Sequence, residues 1–149
     1  MKTFSILIVA VFATSALADD QPPITLDSAP PVVVKTVPTA GSNDVNPSLS
    51  TVSVTFSKKM QDGSWSWVQM SKDSFPTMRG KPRYLKGNRT NVLNVTLKPN
   101  QTYAIWFNSG KFQNFKDEQG RAAVPYLLVF RTGAKKEEPA LDAKVGRDG

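Results

Sequence analysis

Cysteine and histidine are both absent from the 149 residues. Without them the usual zinc, copper and haem sites have no ligands, and Ser-His or Cys-His catalysis has no base or nucleophile. No disulfide can staple the fold either, so a hydrophobic core must hold it; about 100 residues suffice to build one. In an exported protein, a complete lack of cysteine fits a bacterial origin better than an animal extracellular one. Acidic residues are also scarce, with 12 Asp and Glu against 19 Lys and Arg. No apolar stretch reaches the roughly 20 residues that a bilayer-spanning helix requires.

The longest apolar run lies at the start. Lys2 is followed by Phe4-Ser-Ile-Leu-Ile-Val-Ala-Val-Phe-Ala13 and then by Ala16-Leu17-Ala18. A positive start, a short apolar run and an Ala-x-Ala site form a secretory signal peptide, with cleavage expected after Ala18. The product is expected to be secreted or periplasmic and not transmembrane. Residues 19–30 are polar and Pro-rich, too poor in apolar area to order themselves, and read as a flexible leader. Residues 134–149 are charged and small, and read as a disordered tail. The folded unit is expected over 31–133, between these two shifts in composition. It holds 14 basic and 5 acidic residues, a surplus of nine, while the flanks are neutral or acidic.

Within 31–133 the signal is period-two alternation. Thr51-Val-Ser-Val-Thr-Phe56, Val92-Leu-Asn-Val-Thr-Leu97, Thr102-Tyr-Ala-Ile-Trp-Phe107 and Tyr126-Leu-Leu-Val-Phe-Arg-Thr132 each turn one set of side chains inward. Pro31 to Pro38 reads as an edge strand because proline flanks it. Ser64 to Met70 reads as another strand, 71–81 as irregular, and Pro82 to Lys86 as a short edge strand. Asn108 to Pro125 reads as a long loop. About seven strands in about 100 residues, with no helical periodicity, predict an all-β, immunoglobulin-like antiparallel sandwich of Greek-key type.

Several segments resemble bacterial Ig-like domains of the S-layer (SbsA) type. Pro31-Val-Val-Val-Lys-Thr-Val-Pro38 is similar to the first strand, and Gly41, Val45 and Pro47 to the Gly-x-x-x-Val-x-Pro crossing that follows it. Val52 to Met60 resembles a strand closed by Phe-x-x-x-Met. Phe115-Lys-Asp-Glu-Gln-Gly120 resembles the Asp- and Gly-bearing loop, and Tyr126-x-x-x-Phe-x-Thr132 the final strand. The likeness is strongest at the two ends and departs between Trp65 and Arg89. It implies a sandwich in an exported envelope or secreted protein and no particular activity. Leu97 to Tyr103 also looks like a Greek-key corner, in which the Tyr103 hydroxyl bonds to upstream backbone.

Trp65 and Trp67 share one strand face. Trp67 is expected in the core, with Phe56 and Phe130 as further structural residues, and Trp65 divides between core and surface. Trp106 alternates away from Tyr103, Ile105 and Phe107 and is a candidate for surface recognition, with Tyr84. Arg79, Lys81, Arg83, Lys86 and Arg89 fall in a stretch without acid. They either contact an anion or simply guard a strand edge against unwanted pairing.

The remaining chemistry is thin. Asp117 and Glu118 with Asn114 offer oxygens for calcium, but the EF-hand spacing is missing and the same residues make a good turn. No Gly-x-Ser-x-Gly occurs, and no nucleophile has a recognisable base, so no catalytic residue, metal or cofactor is expected. The sequons at Asn88, Asn94 and Asn100 read as incidental. The expectation is an exported, non-enzymatic module binding a protein or glycan partner at the cell envelope through an aromatic side chain and nearby cations. The alternatives are an electrostatic accessory protein for acidic glycan or anionic lipid and, third, a small secreted hydrolase. Nucleic acid is not expected, since no binding motif accompanies the charge.

Overall fold

The computed structural model describes residues 21–135. The signal peptide read over 1–18, and the tail from residue 136 onward, lie outside the described residues. Eight strands follow in order: β1 (Val33–Val37), β2 (Thr51–Phe56), β3 (Trp67–Gln69), β4 (Thr77–Met78), β5 (Arg83–Tyr84), β6 (Thr90–Thr96), β7 (Thr102–Phe107) and β8 (Tyr126–Arg131). All pairings between these strands are antiparallel. One sheet runs β1-β2-β6-β4, with β5 also on β6, and the other runs β3-β7-β8. The outcome is the expected all-β sandwich.

Alternation decides which face is buried. On β2, Val52, Val54 and Phe56 are inaccessible, whereas Thr51, Ser53 and Thr55 are half-exposed. Their partners Leu93 and Asn91 on β6 face the same way, because residues directly opposite across a ladder share a side. Tyr103, Ile105 and Phe107 on β7 meet them from the other sheet with Leu128 and Phe130 on β8. Each such large apolar side chain contributes about 1.5–3 kcal/mol on full burial. The crossing after β1 is itself used. Gly41 N–H donates to Val129 O, Arg131 N–H to Ser42 O, and Val45 N–H to Arg131 O, which covers the outer edge of β8.

The middle of the chain is less regular than its pattern implies. The strand expected over Ser64–Met70 shrinks to Trp67–Gln69, and the stretch expected to be irregular contains β4. Ser74 O still accepts Ala104 N–H on β7, and between Ser74 and Thr77 the chain crosses to the opposite sheet, where Thr77 and Met78 pair with Thr96 and Val95.

The loop 108–125 is partly core. Asn108 adopts a positive φ of 57°, a conformation asparagine tolerates better than most residues. Its fully buried side-chain amide donates to Phe115 O at 3.0 Å and Ala123 O at 2.9 Å, and its Oδ1 accepts Phe115 N–H at 2.9 Å. Phe115 is thereby seated between the sheets, 4.9 Å from Phe56 and 6.3 Å from both Trp67 and Phe107 between ring centroids. Trp67 adds a polar tie across the layers, its indole N–H donating to Asn91 Oδ1 at 2.9 Å.

Farther along the loop, Asp117 closes a turn with Gly120. Its carboxylate is almost fully buried and accepts the N–H groups of Gln119 and Arg121 and the Arg121 Nε at 2.8 Å, with Lys58 Nζ at 3.8 Å. Burial opposes its ionisation, but the Arg121 N–H, the adjacent guanidinium and the Gln119 N–H outweigh burial and hold the carboxyl below its ordinary value. The two cations also reach the Pro-rich segment: Lys58 Nζ bonds Asp27 O and Ala29 O, and Arg121 bonds Ser28 O.

Two stability experiments follow from this layout. Because the folded-state value of Asp117 is depressed, its contribution is complete above the unfolded value of about 4 and fades as pH falls through the folded value. Asp117→Asn is expected to lower the urea midpoint at pH 7 and to flatten its decline between about pH 4 and pH 2. An unchanged pH profile in the variant would exclude this role. Trp67→Phe keeps the ring but strips Asn91 Oδ1 of its donor, and equilibrium urea unfolding should show a loss of about 1–3 kcal/mol.

Candidate functional site

The inner edges of the sandwich do not close where β3 faces β4. Trp65, Ser66, Trp67, Val68 and Gln69 form one wall of a cleft of about 460 Å³. Phe75, Met78 and Pro82 stand across from them, and Phe112 and Asn114 complete it from the long loop. The cleft is chiefly apolar, broadly open to solvent and without an acidic residue in its lining. Met78 and Phe112 keep 49% and 46% of their surface exposed.

Each wall is held from behind. Trp67 packs edge-on against Phe107 at 4.8 Å and bonds Asn91, so its ring is anchored while one side faces the cleft. Ser66 is buried, and its Oγ accepts Asn114 N–H at 3.0 Å, fixing the loop against β3. Trp65 is half-buried and packs on the core beside it. Lys111 places its Nζ 5.7 Å from the centroid of Phe112, putting a cation at the mouth.

The two remaining aromatic candidates sit elsewhere. Trp106 lies on the outer face of β7, opposite Val68 and Leu127, half-exposed on an apolar strip that ends at Met70 and Val129. Tyr84 is paired with inward-facing Asn91 and packs against the core. Burial, then the nearby Asp62 carboxylate, pushes its hydroxyl well above the ordinary value. Neither Tyr84 Oη nor Asn91 Nδ2 has a hydrogen-bond partner within the protein among the described residues. Trp65, Trp106 and Tyr84 therefore do not form one platform.

The basic segment is divided as well. Arg79 donates its backbone N–H to Asn94 O, and Arg83 its guanidinium to Asn94 Oδ1, so both meet at Asn94 on the outer face of the first sheet. Arg89 turns the other way and bonds Phe56 O and Ser57 O. There it joins Lys58, Lys59 and Arg121 around a second depression that also contains Asp27 and Glu118. Lys81 and Lys86 are exposed on the connections flanking β5. Strand alternation and two glycine turns disperse what a linear reading takes as one cluster.

Among the structural candidates, Phe56 and Phe130 are buried, and the Tyr103 hydroxyl accepts Lys98 N–H at 2.7 Å. Sequence reasoning missed Phe75, Met78 and Phe112, and weighed Asn114 only as an oxygen donor for calcium. The single available signal for the three was their apolar character inside polar stretches, where solvated loops normally avoid it.

Comparison with known proteins supports the architecture. CopC from Methylosinus trichosporium OB3b superposes with a TM-score of 0.51 at 16% identity, covering 72% of this chain and 98% of CopC. The S-layer protein rSbsC(31-844) gives a TM-score of 0.46 at 16% identity over 76% of this chain and 15% of that one. None of the curated proteins matches the chain. At such identity the likeness to CopC is one of fold. Residues 27–132 match the bacterial Ig-like domain, and the chain belongs to that family.

Proposed function

We propose that this chain is an exported, non-enzymatic Ig-like module that recognises a protein or glycan partner at the cell envelope through the cleft beside β3. The observation that carries the reading is the cleft itself. Aromatic and sulfur side chains are held half-open to water on a rigid frame, and a concave, chiefly apolar site with a few polar groups is the usual form of a binding site. The signal peptide over residues 1–18 supports export, and no helix among the described residues is long and apolar enough to cross a membrane. The Gly41, Val45 and Pro47 crossing and the strand ending at Phe56 and Met60 support kinship with S-layer-type domains.

A second reading has its own observation. Arg83 bonds Asn94 Oδ1 through its guanidinium, and Arg79 lines a polar depression beside Asn94, where an acidic glycan or an anionic lipid head group would find cationic side chains. Such binding would be weak and sensitive to salt. A hydrolytic role has little support, since five acids within 31–133 and no histidine in the sequence leave no nucleophile with an evident base.

The readings separate with the immobilised protein and envelope fractions of the source cells. Under the cleft reading, retention of a partner persists at high salt and drops about tenfold or more in Trp65→Ala combined with Phe112→Ala, as for a desolvated aromatic anchor. Under the polyanion reading, retention disappears with salt and in Arg79→Glu combined with Arg83→Glu. Retention indifferent to the aromatic pair would sink the cleft as the site.

A further inference from the structure

β3 is the unguarded edge of this sandwich. Ser66 O accepts Asn108 N–H, and Met70 N–H donates to Ala104 O, so the backbone groups of Ser66, Val68 and Met70 face β7. Antiparallel geometry then turns the N–H and C=O groups of Trp67 and Gln69 the opposite way. Among the described residues no strand pairs with that side of β3, and both residues line the cleft. Among those same residues their backbone groups have no partner, and they lie beside an apolar trough.

The longer edges are protected, whereas β3 is three residues long and relies on shortness alone. β1 carries Lys35, a register shift between Val33 and Lys35, and proline at Pro31 and Pro38. The outer edge of β8 is covered by the 41–45 segment. β3 has no lysine, proline or bulge: from Ser64 to Met70 there is neither a charge nor a proline. Proteins block an edge with such devices or with shortness because it otherwise accepts another strand, and a short edge still offers the groups of Trp67 and Gln69.

Charge narrows the occupant. The cleft lining carries no charge of either sign, but at its rim Lys111 sits over the Phe112 ring and exposed Lys81 adjoins Pro82. We propose that the partner is an extended polypeptide segment of alternating apolar and acidic residues, which adds as a strand on the free edge of β3. Its backbone pairs with Trp67 and Gln69, alternate apolar side chains enter the cleft against Trp65 and Phe75, and its carboxylates meet Lys111 and Lys81. Main-chain pairing supplies a polypeptide-specific contact that a sugar ring lacks. This inference rests on the cleft being the recognition site and adds what the cleft recognises.

The test uses a synthetic heptapeptide, acetyl-Glu-Val-Asp-Val-Glu-Val-Thr-amide, and the same peptide N-methylated at alternate residues on the pairing side. Nitrogen-15 NMR should show binding with slowed amide exchange at Trp67 and Gln69, and the N-methylated peptide should bind at least about tenfold more weakly, the loss of roughly 1.4 kcal/mol. Gln69→Pro, which removes an edge donor that β7 does not use, should weaken the parent peptide comparably while leaving the β7 amide shifts in place. If the parent peptide binds the wild-type protein and loses affinity in Trp65→Ala, but the N-methylated form binds equally well, strand addition is overturned and the cleft reading survives. Binding insensitive to Trp65→Ala would overturn both. No binding of the parent peptide up to about 1 mM would overturn the strand proposal alone.

Discussion

The buried side chain of Asn108 is the constraint from which most of this structure follows. A loop leaving β7 would normally run over the surface, since its backbone groups need water. Here three hydrogen bonds from one amide satisfy backbone groups of Phe115 and Ala123 that the loop would otherwise bury unpaired. That permits Phe115 to enter the core as a ring belonging to neither sheet. It touches Phe56 from one layer and Trp67 and Phe107 from the other, filling the place where two twisted sheets diverge. The left-handed backbone at Asn108 supplies the sharp departure from β7.

The same clamp fixes the recognition surface. Phe112 and Asn114 lie between Asn108 and Phe115, so their positions are set at both ends, and Asn114 is further pinned to Ser66. The cleft therefore has a wall tied to the core at several points, the arrangement that keeps the entropic cost of binding low. The lack of disulfides makes this polar wiring more consequential. Where a staple might join the layers, the protein uses the Trp67–Asn91 hydrogen bond and the packed aromatic cluster. Asp117 plays a related part at the far end, where one buried carboxylate organises Arg121 and Lys58 and, through them, the Pro-rich segment. Its buried oxygens are already met by N–H donors, so that loop works as a turn in the form described here.

Legibility followed periodicity. β2, β6, β7 and β8 were readable because strict alternation over six or seven residues leaves one inward face, and Val54, Leu93, Ile105 and Leu128 lie there. β4 was not readable: two residues, Thr77 and Met78, carry no period, and their pairing with Thr96 and Val95 comes from tertiary contact. Tyr84 illustrates a different limit. Its two-residue strand offers no pattern from which to choose a face, and only its register opposite Asn91 turns it inward. The basic segment looked like one patch because linear proximity hides the turns at Gly80 and Gly87. The walls of the cleft were hidden for a related reason, as Phe75 and Phe112 come from stretches without regular structure and meet only when the sheets are assembled.

The distribution of charge bears on how such a module would select a partner. A surplus of nine positive charges over 31–133 attracts any polyanion weakly and speeds encounter without choosing among partners. Selection needs a desolvated contact with fixed shape, and the depression beside Asn94 on the outer face is polar, whereas the cleft is apolar. The two surfaces therefore suit different steps of one association. Scattered cations such as Lys81 and Lys86 would draw an acidic segment toward the domain, and the aromatic walls with the free β3 edge would retain it. On this division, charge reversal at the periphery should act on the association rate, while truncation at Trp65 or Phe112 should act on dissociation, because rim charges govern encounter and buried anchors govern residence.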